Sequence, residues 1–278
     1  MMKIKMSLFI CVFVHSITAQ LQLQREISLP SANPGWYVDP IGNHYVIDNN
    51  KISKIDSLGK VVFNQAIKSQ GEISLLVFNS AQKIISFSEE QQQICVFDNT
   101  ITPVSMCLDL DEFSISNATL IASSSRANSI WVFDRVNATI LLLDTEKKIV
   151  LQRLRNVSGL IGFAGNVTFM REDSEKLWMS DGKRTFSFDL NLNLVDTHEY
   201  ACLSKHLTTS NNEPNWTTSF IALNTYFEFK QDVLFVLNLD SKDQGIGENP
   251  VPNAENIYYS NGNFYFKKGS KVFVYKIA

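Results

Sequence analysis

The sequence predicts an all-β protein that folds as a six-bladed β-propeller, with the last blade closed by the N-terminal strand. Three observations favour this fold. A strand ending in aspartate recurs along the chain, a second short strand precedes each copy, and a spare alternating strand stands near the N-terminus. Aromatic residues make up 11% of the chain, with 19 phenylalanines, which is typical of strands with a large buried surface.

The recurring strand sets the length of the repeat. Five copies end in aspartate and a sixth does not: 51–56, 94–98, 140–144, 185–189, 233–240 and 272–277. Their ends lie 37 to 51 residues apart, close to the length of a four-stranded propeller blade. An aspartate at a strand end accepts hydrogen bonds from the amides of the next turn, so we interpret it as a turn cap rather than as one of a ring of ligands.

Neighbouring strands complete each blade. The strand before each copy is predicted at 44–48, 83–87, 129–134, 176–181, 226–230 and 263–266, and inner strands at 35–38, 73–77, 166–169 and 257–259. The final copy has no outer strand of its own. Residues 21–29 are predicted to supply it, because apolar residues alternate there at Leu21, Leu23, Ile27 and Leu29 and pairing would cover two sheet edges.

The N-terminus predicts export. Lys3 and Lys5 precede an apolar run over 6–17, and Ala19 offers a small residue for cleavage. This is the layout of a secretory signal and is too short to span a bilayer comfortably, with an uncleaved N-terminal anchor as the alternative. We expect residues 1–19 to be a signal peptide and 20–278 the propeller domain. The remaining chain has no run of about 18 apolar residues, so no transmembrane segment is expected after cleavage.

The strand and turn pattern resembles that of NHL-type six-bladed propellers. The resemblance rests on 44–48, 52–56 and the following Gly59-Lys60, and it extends over the whole mature chain through the repeats. Thr18-Ala19-Gln20 is similar to export signals of Bacteroidota. The resemblance implies a fold and a place in the periplasm, at the outer membrane or outside the cell; it carries no functional signature.

Charge and cysteine content restrict the class of protein. The net charge is −3 with scattered Lys and Arg, so no nucleic-acid partner is expected. Cys95, Cys107 and Cys202 remain after cleavage, and an odd number argues against a disulfide scaffold. Cys95 and Cys107 lie on flanking strands of a predicted hairpin, where they either form a bridge or remain buried thiols.

No catalytic residue is predicted. The mature chain has His44, His198 and His206 and no Gly-x-Ser-x-Gly elbow, and we interpret His44 as a blade-edge residue. No cofactor is expected, although calcium is possible. Asp240, Asp243 and Glu248 offer hard oxygen ligands on a predicted loop over 240–252, which is otherwise a solvated turn.

Tryptophans give the candidate binding residues. Trp131 and Trp178 occupy equivalent places in successive copies and are expected to pack between blades. Trp216 lies outside the repeats beside Asn212 and Glu213, which indicates a contact for a partner or sugar, or else a cap on one face. Glycosylation sequons, incidental or used, occur at Asn117, Asn137, Asn156, Asn166 and Asn215.

These features predict a monomeric, non-catalytic binding or scaffold module of the cell envelope, with an envelope or cell-surface protein as partner. One alternative is a calcium-dependent lactonase or hydrolase with its site in the central channel. A carbohydrate-binding propeller is another. The lining of the channel distinguishes them, because converging carboxylate or amide groups favour the enzyme and an apolar channel favours the scaffold.

Overall fold

The computed structural model describes residues 21–31, 35–68, 70–80, 82–162, 167–199, 217–222, 225–230, 233–238, 244–248 and 254–277. Within 217–248 it describes side chains only for Tyr226, Phe227 and Val236. These described ranges contain six four-stranded antiparallel sheets, a 3-10 helix at Leu110–Phe113 and a short helix, α1, at Val157–Ile161.

Each of the first five sheets is formed by consecutive strands. The first three sheets comprise β2 (Gly35–Val38), β3 (His44–Asp48), β4 (Lys51–Ile55) and β5 (Val61–Ala66); β6 (Leu75–Ser80), β7 (Lys83–Ser88), β8 (Gln93–Asp98) and β9 (Leu108–Asp109); and β10 (Ala118–Ser123), β11 (Ser129–Asp134), β12 (Thr139–Asp144) and β13 (Ile149–Leu154). The next two comprise β14 (Phe169–Asp173), β15 (Lys176–Ser180), β16 (Thr185–Asp189) and β17 (Leu194–His198); and β18 (Thr217–Ala222), β19 (Thr225–Lys230), β20 (Val233–Asn238) and β21 (Gln244–Glu248).

The sixth sheet joins the two ends of the described chain. Its order is β22 (Asn256–Ser260), β23 (Asn263–Lys268), β24 (Lys271–Ile277) and β1 (Leu21–Ser28). Strand β1 runs antiparallel to β24, with register partners from Leu21 and Ile277 to Ser28 and Lys271. The Leu29 amide continues the contact by donating to the Ser270 carbonyl over 2.7 Å.

The predicted six-bladed propeller, with its last blade closed by the N-terminal strand, needs correction in its packing. The buried apolar residues of the described chain form five clusters, so the sheets do not each bury a separate core. One cluster runs through three sheets, from Trp178 through Phe227 to Phe264. The regular alternation expected of the N-terminal strand is also wrong, because a register break between Leu23 and Arg25 leaves Leu23 54% exposed. A bulge disrupts the ladder and changes the direction of nearby side chains.

The predicted loop over 240–252 also needs correction. Residues Gln244–Glu248 form strand β21, which pairs with β20 so that Glu248 lies opposite Val233. The glycines at 245 and 247 indicated a loop to sequence reasoning, because glycine is depleted in strands. Pairing with an adjacent strand outweighs that local preference.

The arrangement of the sheets defines two faces. The first strands of neighbouring sheets contact one another in sequence, from β6 through β10, β14, β18 and β22 to β2, and together they surround a central channel. We call face A the side that carries the turns between the first and second strands of each sheet. Face B carries the turns between second and third strands and the links from one sheet to the next.

Candidate functional site

The central channel is the first candidate site. Its cavity of about 490 Å³ is lined from β2, β6, β10, β14 and β22. Aliphatic and aromatic side chains dominate the lining: Val38, Pro40, Leu75, Val77, Phe78, Leu120, Ile121, Ala122, Phe169, Met170, Tyr258 and Tyr259. Such a cavity favours burial of an apolar side chain of a partner over ion binding.

Tyr258 lies in the channel wall and packs against two aromatic rings of the first sheet. Tyr258 packs edge-on against Trp36 with ring centroids 5.0 Å apart and lies 6.0 Å from the Tyr37 ring. Burial raises the pKa of Tyr258 well above its usual value and that of Tyr37 to about 12. The Tyr37 hydroxyl donates to the Ser74 carbonyl over 3.1 Å. These phenols therefore remain neutral and act as packing groups.

Glu172 is the carboxylate of the described channel lining, and both of its oxygens have partners. Its Oε1 accepts from the Ser125 amide at 2.8 Å, and its Oε2 accepts from the Trp131 indole Nε1 at 2.5 Å. A carboxylate held by two donors from the neighbouring sheet joins the third and fourth sheets. We therefore assign it a structural role.

The tryptophan prediction is confirmed for the two repeat positions. Trp131 and Trp178 are each 1% exposed and belong to buried clusters between sheets. Their indole nitrogens donate to Glu172 and to the Asp173 carbonyl. A buried indole needs such a partner for its N–H group.

A polar recess on face A adjoins the channel mouth. Its volume is about 640 Å³, and Asp173, Glu175, Ser124, Ser125 and Asn79 are among its lining residues. Glu172 lines both this recess and the channel. Asp173 and Glu175 flank the β14–β15 turn, and Glu175 is exposed. The recess therefore places negative charge next to a mainly apolar cavity, whose described lining also includes Arg171.

The recurring aspartates are turn caps, as predicted. Asp56 Oδ1 accepts from the amides of Leu58 and Lys60, and Asp189 Oδ1 accepts from those of Asn191 and Asn193. The carboxylates at 98 and 144 bind the amides of their own turns in the same way. These residues lie at separate strand ends on face A, so they do not form a ligand ring.

His44 begins β3, as predicted, but it is fully buried rather than exposed at an edge. Its Nδ1 accepts from the Trp36 indole Nε1 at 3.2 Å, and the two rings stack. Burial lowers the pKa of His44 to about 4, with a smaller contribution in the same direction from the charge of Arg25. A neutral imidazole that accepts a hydrogen bond from an indole acts as a packing group of the core. The spacing of residues in the sequence did not indicate this contact.

Most of the residues predicted for binding and calcium lie outside the described chain. Trp216, Asn212 and Glu213 fall there, as do Asp240 and Asp243. Glu248 ends strand β21, and its side chain is not described. Among the described residues, no group of three or more His, Cys, Asp or Glu side chains is placed to hold a metal ion. The predictions for these six residues remain predictions.

Cys95 and Cys107 form a disulfide, which resolves the two alternatives left open by the sequence. Their Cα atoms lie 4.2 Å apart across β8 and the segment leading into β9. Between them, residues 99–106 leave the ladder, with a single bridge from Phe97 to Pro103. The bond therefore ties this excursion to the edge of the second sheet.

Comparisons with known proteins identify the fold. No family model and no curated protein matches the sequence. The WD40 domain of Neurospora crassa Pan2 matches with TM-score 0.60 and 10% identity over 92% of this chain and 94% of that chain. A chain of the mitotic checkpoint complex gives 0.57 and 10% over 100% and 98%. Virginiamycin B lyase from Staphylococcus aureus gives 0.55 and 13% over 93% and 100%.

The fold is a β-propeller. At 10–13% identity the likeness shows the fold alone, and the NHL-type relationship and Bacteroidota origin remain predictions. Within the described ranges of this propeller, no helix combines the length and apolar character needed to cross a membrane.

Proposed function

We propose that this propeller is a non-catalytic, exported binding module that acts as a scaffold in the cell envelope by holding a partner protein at its face A channel mouth. The observation that carries the proposal is the lining of the channel. Apolar and aromatic groups dominate it, and its described carboxylate, Glu172, is bound through both oxygens. A rigid disc with such a cavity supports docking without supplying a reaction centre.

The chemistry of the mouth defines the partner. An apolar side chain entering the channel would be removed from water beside Phe78 and Tyr259, which line it. A neighbouring Lys or Arg would meet the polar recess, where Asp173 and Glu175 supply negative charge. The partner segment therefore carries an apolar anchor followed closely by a basic residue.

Two features support export. Disulfides persist in oxidising compartments such as the periplasm and the cell exterior, and Cys95–Cys107 is one. The basic and apolar pattern of the first nineteen residues adds the expected targeting signal.

The lactonase alternative receives less support. It requires several free carboxylate or amide groups that converge in the channel, and the described lining has Glu172 and Asn261 as its carboxylate and amide side chains. Similarity to virginiamycin B lyase extends to the fold only. No metal requirement is predicted, and a lower melting temperature after chelation would instead support calcium bound through Asp240, Asp243 and Glu248.

Photo-crosslinking in the native envelope tests the docking site. A benzoyl-phenylalanine at Phe78, which lines the channel, should give one discrete protein adduct. The matched control is Val136, which is 67% exposed on face B and should give none. Glu175→Lys should reduce the Phe78 adduct by about fivefold or more, because the reversed charge repels the basic residue next to the apolar anchor. Equal adducts from both positions, or none from Phe78, would contradict the proposal.

A further inference from the structure

A second recess lies on face B, beside the third sheet and away from the channel mouth. Its volume is about 720 Å³, within the range of about 300–1,000 Å³ that small-molecule sites occupy. Three segments meet there: the link that precedes β10, the β11–β12 turn, and the chain that leaves β13. Their contributions include Ser116, Asn137 and Arg155.

Two arginines give this recess its charge. Arg153, in β13, and Arg155, just after the end of that strand, both line it. Arg153 donates one hydrogen bond, from Nη2 to the Phe113 carbonyl over 2.9 Å. Within the described chain, the Arg155 guanidinium has no partner. Guanidinium N–H groups are therefore available at the wall.

The one carboxylate among the described lining residues of the recess already has hydrogen-bond partners. Asp134 is 1% exposed and accepts from the amides of Ser116, Asn117 and Asn137 and from the Asn137 side chain. Burial opposes its ionisation, but these hydrogen bonds outweigh burial and leave the pKa of Asp134 below its usual value. Asp134 is ionised, and its oxygens accept from groups of the protein itself. The polar groups that a ligand can reach in the recess are therefore mainly hydrogen-bond donors.

Hydroxyl and amide groups complete the wall. Ser114 and Ser158 line the recess, and within the described chain their hydroxyls make no hydrogen bond. Such groups donate to and accept from ligand hydroxyls. No aromatic residue is found among the described lining, so a neutral sugar would lack a stacking surface, and a charged group has to supply much of the affinity.

We propose that this recess binds a carboxylate-bearing, polyhydroxylated ligand of the uronic-acid sugar class. The ligand carboxylate pairs with Arg155, with Arg153 beside it, because the planar guanidinium matches a carboxylate through two parallel hydrogen bonds. The ligand hydroxyls meet Ser114, Ser158 and Ser116, whose Oγ accepts from the Asn137 side chain over 3.1 Å. The site is independent of partner docking on face A.

Calorimetric titration of the intact mature protein with digalacturonic acid tests this assignment, and its methyl ester is the matched ligand without charge. We expect the acid to bind and the ester to bind at least about tenfold more weakly, the scale of one lost charge-assisted hydrogen bond. Arg155→Gln should weaken binding of the acid by about tenfold or more. Arg126→Gln, which changes an exposed arginine in the β10–β11 turn on face A, should leave it within about twofold.

Three results would overturn the assignment. If the acid does not bind, the recess is not a site for this ligand class. If acid and ester bind equally, the arginines do not recognise the carboxylate. Displacement by equimolar sodium sulfate would show that any anion suffices and that the hydroxyl groups contribute nothing. An unchanged melting temperature for Arg155→Gln separates a binding defect from unfolding, and the Phe78 crosslink should persist in this variant because it reports on the other face.

Discussion

The middle strands and the outer strands of the sheets differ sharply in burial. In the third sheet, β11 and β12 are buried at all six positions each, whereas β5, the outer strand of the first sheet, is exposed at all six. Both follow strand geometry with side chains on alternating sides. The middle strands lie between two neighbouring sheets, so both of their faces are covered, while an outer strand extends past its neighbours. Stability is therefore expected to reside in the middle strands.

The largest effect should come from truncating a middle-strand aromatic residue. Phe133 in β11 is 1% exposed and packs in the cluster between the third and fourth sheets. Phe133→Ala should lower the free energy of unfolding by about 3–5 kcal/mol, through lost burial and the cavity left behind. Phe63→Ala in β5, where the ring is 39% exposed, should cost about 1 kcal/mol or less. Urea denaturation of both variants measures the difference. Equal losses would contradict the conclusion that the middle strands carry more of the stability than the outer strands.

A second pair sharpens the comparison within one outer strand. Strand β1 contains Ile27, which is 3% exposed and packs with Val272 and Val274, and Leu23, which is 54% exposed. Ile27→Ala should cost about 3 kcal/mol, while Leu23→Ala should change stability by about 0.5 kcal/mol or less. The urea midpoints of the two variants test this directly. A large loss at Leu23 would mean that the bulge does not expose it in solution.

The smallest expected effect concerns pH and a middle-strand histidine. The pKa of His44 falls from 6.5 to about 4 on folding, mainly through burial; Arg25 lowers it further and Asp39 raises it. The unfolded chain therefore binds the proton first as pH falls. The stability contribution is complete above pH 6.5 and is lost between about 6.5 and 4, on the order of 2–3 kcal/mol.

His44→Phe provides the control for this titration. It should reduce stability at neutral pH, because the Trp36 indole loses its acceptor, and it should remove most of the pH dependence between 6.5 and 4. Thermal melts of both proteins across that range provide the measurement. An unchanged pH profile in the variant would assign the acid sensitivity to other groups.

Local patterns predicted the hairpins well. The second strands at 44–48 and 129–134 were placed with the bounds that the structure has, because a continuous apolar run followed by a turn is a short-range signal. The first strands were placed less well. Residues 166–169 were predicted where β14 is Phe169–Asp173, and β10 (Ala118–Ser123) was not predicted at all. First strands line the channel, so their residues are adapted to a central cavity and not to a fully covered core.

The candidate sites were hardest to predict, since they depend on residues far apart in the chain. In the sequence Glu172 resembles any exposed acidic residue. The structure shows that it accepts hydrogen bonds from the Trp131 indole and the Ser125 amide. The face B recess has the same origin, because Ser114 and Ser158 are distant in sequence yet line one cavity. Sequence reasoning instead selected Trp216 and its neighbours, because an isolated aromatic residue in a polar segment is a visible local signal.

The all-β class, the repeating hairpins and the capping aspartates at 56, 98, 144 and 189 could be predicted from the sequence, since they depend on alternation and turn chemistry within a few residues. Tertiary packing decided that His44 is buried, that Leu23 is exposed, that 244–248 pairs as a strand and that apolar groups dominate the described channel lining. Each of these outcomes depends on which sheet packs against which and on the register of paired strands. Those are contacts between residues far apart in the chain, and their free energies cannot be deduced from a few neighbouring residues.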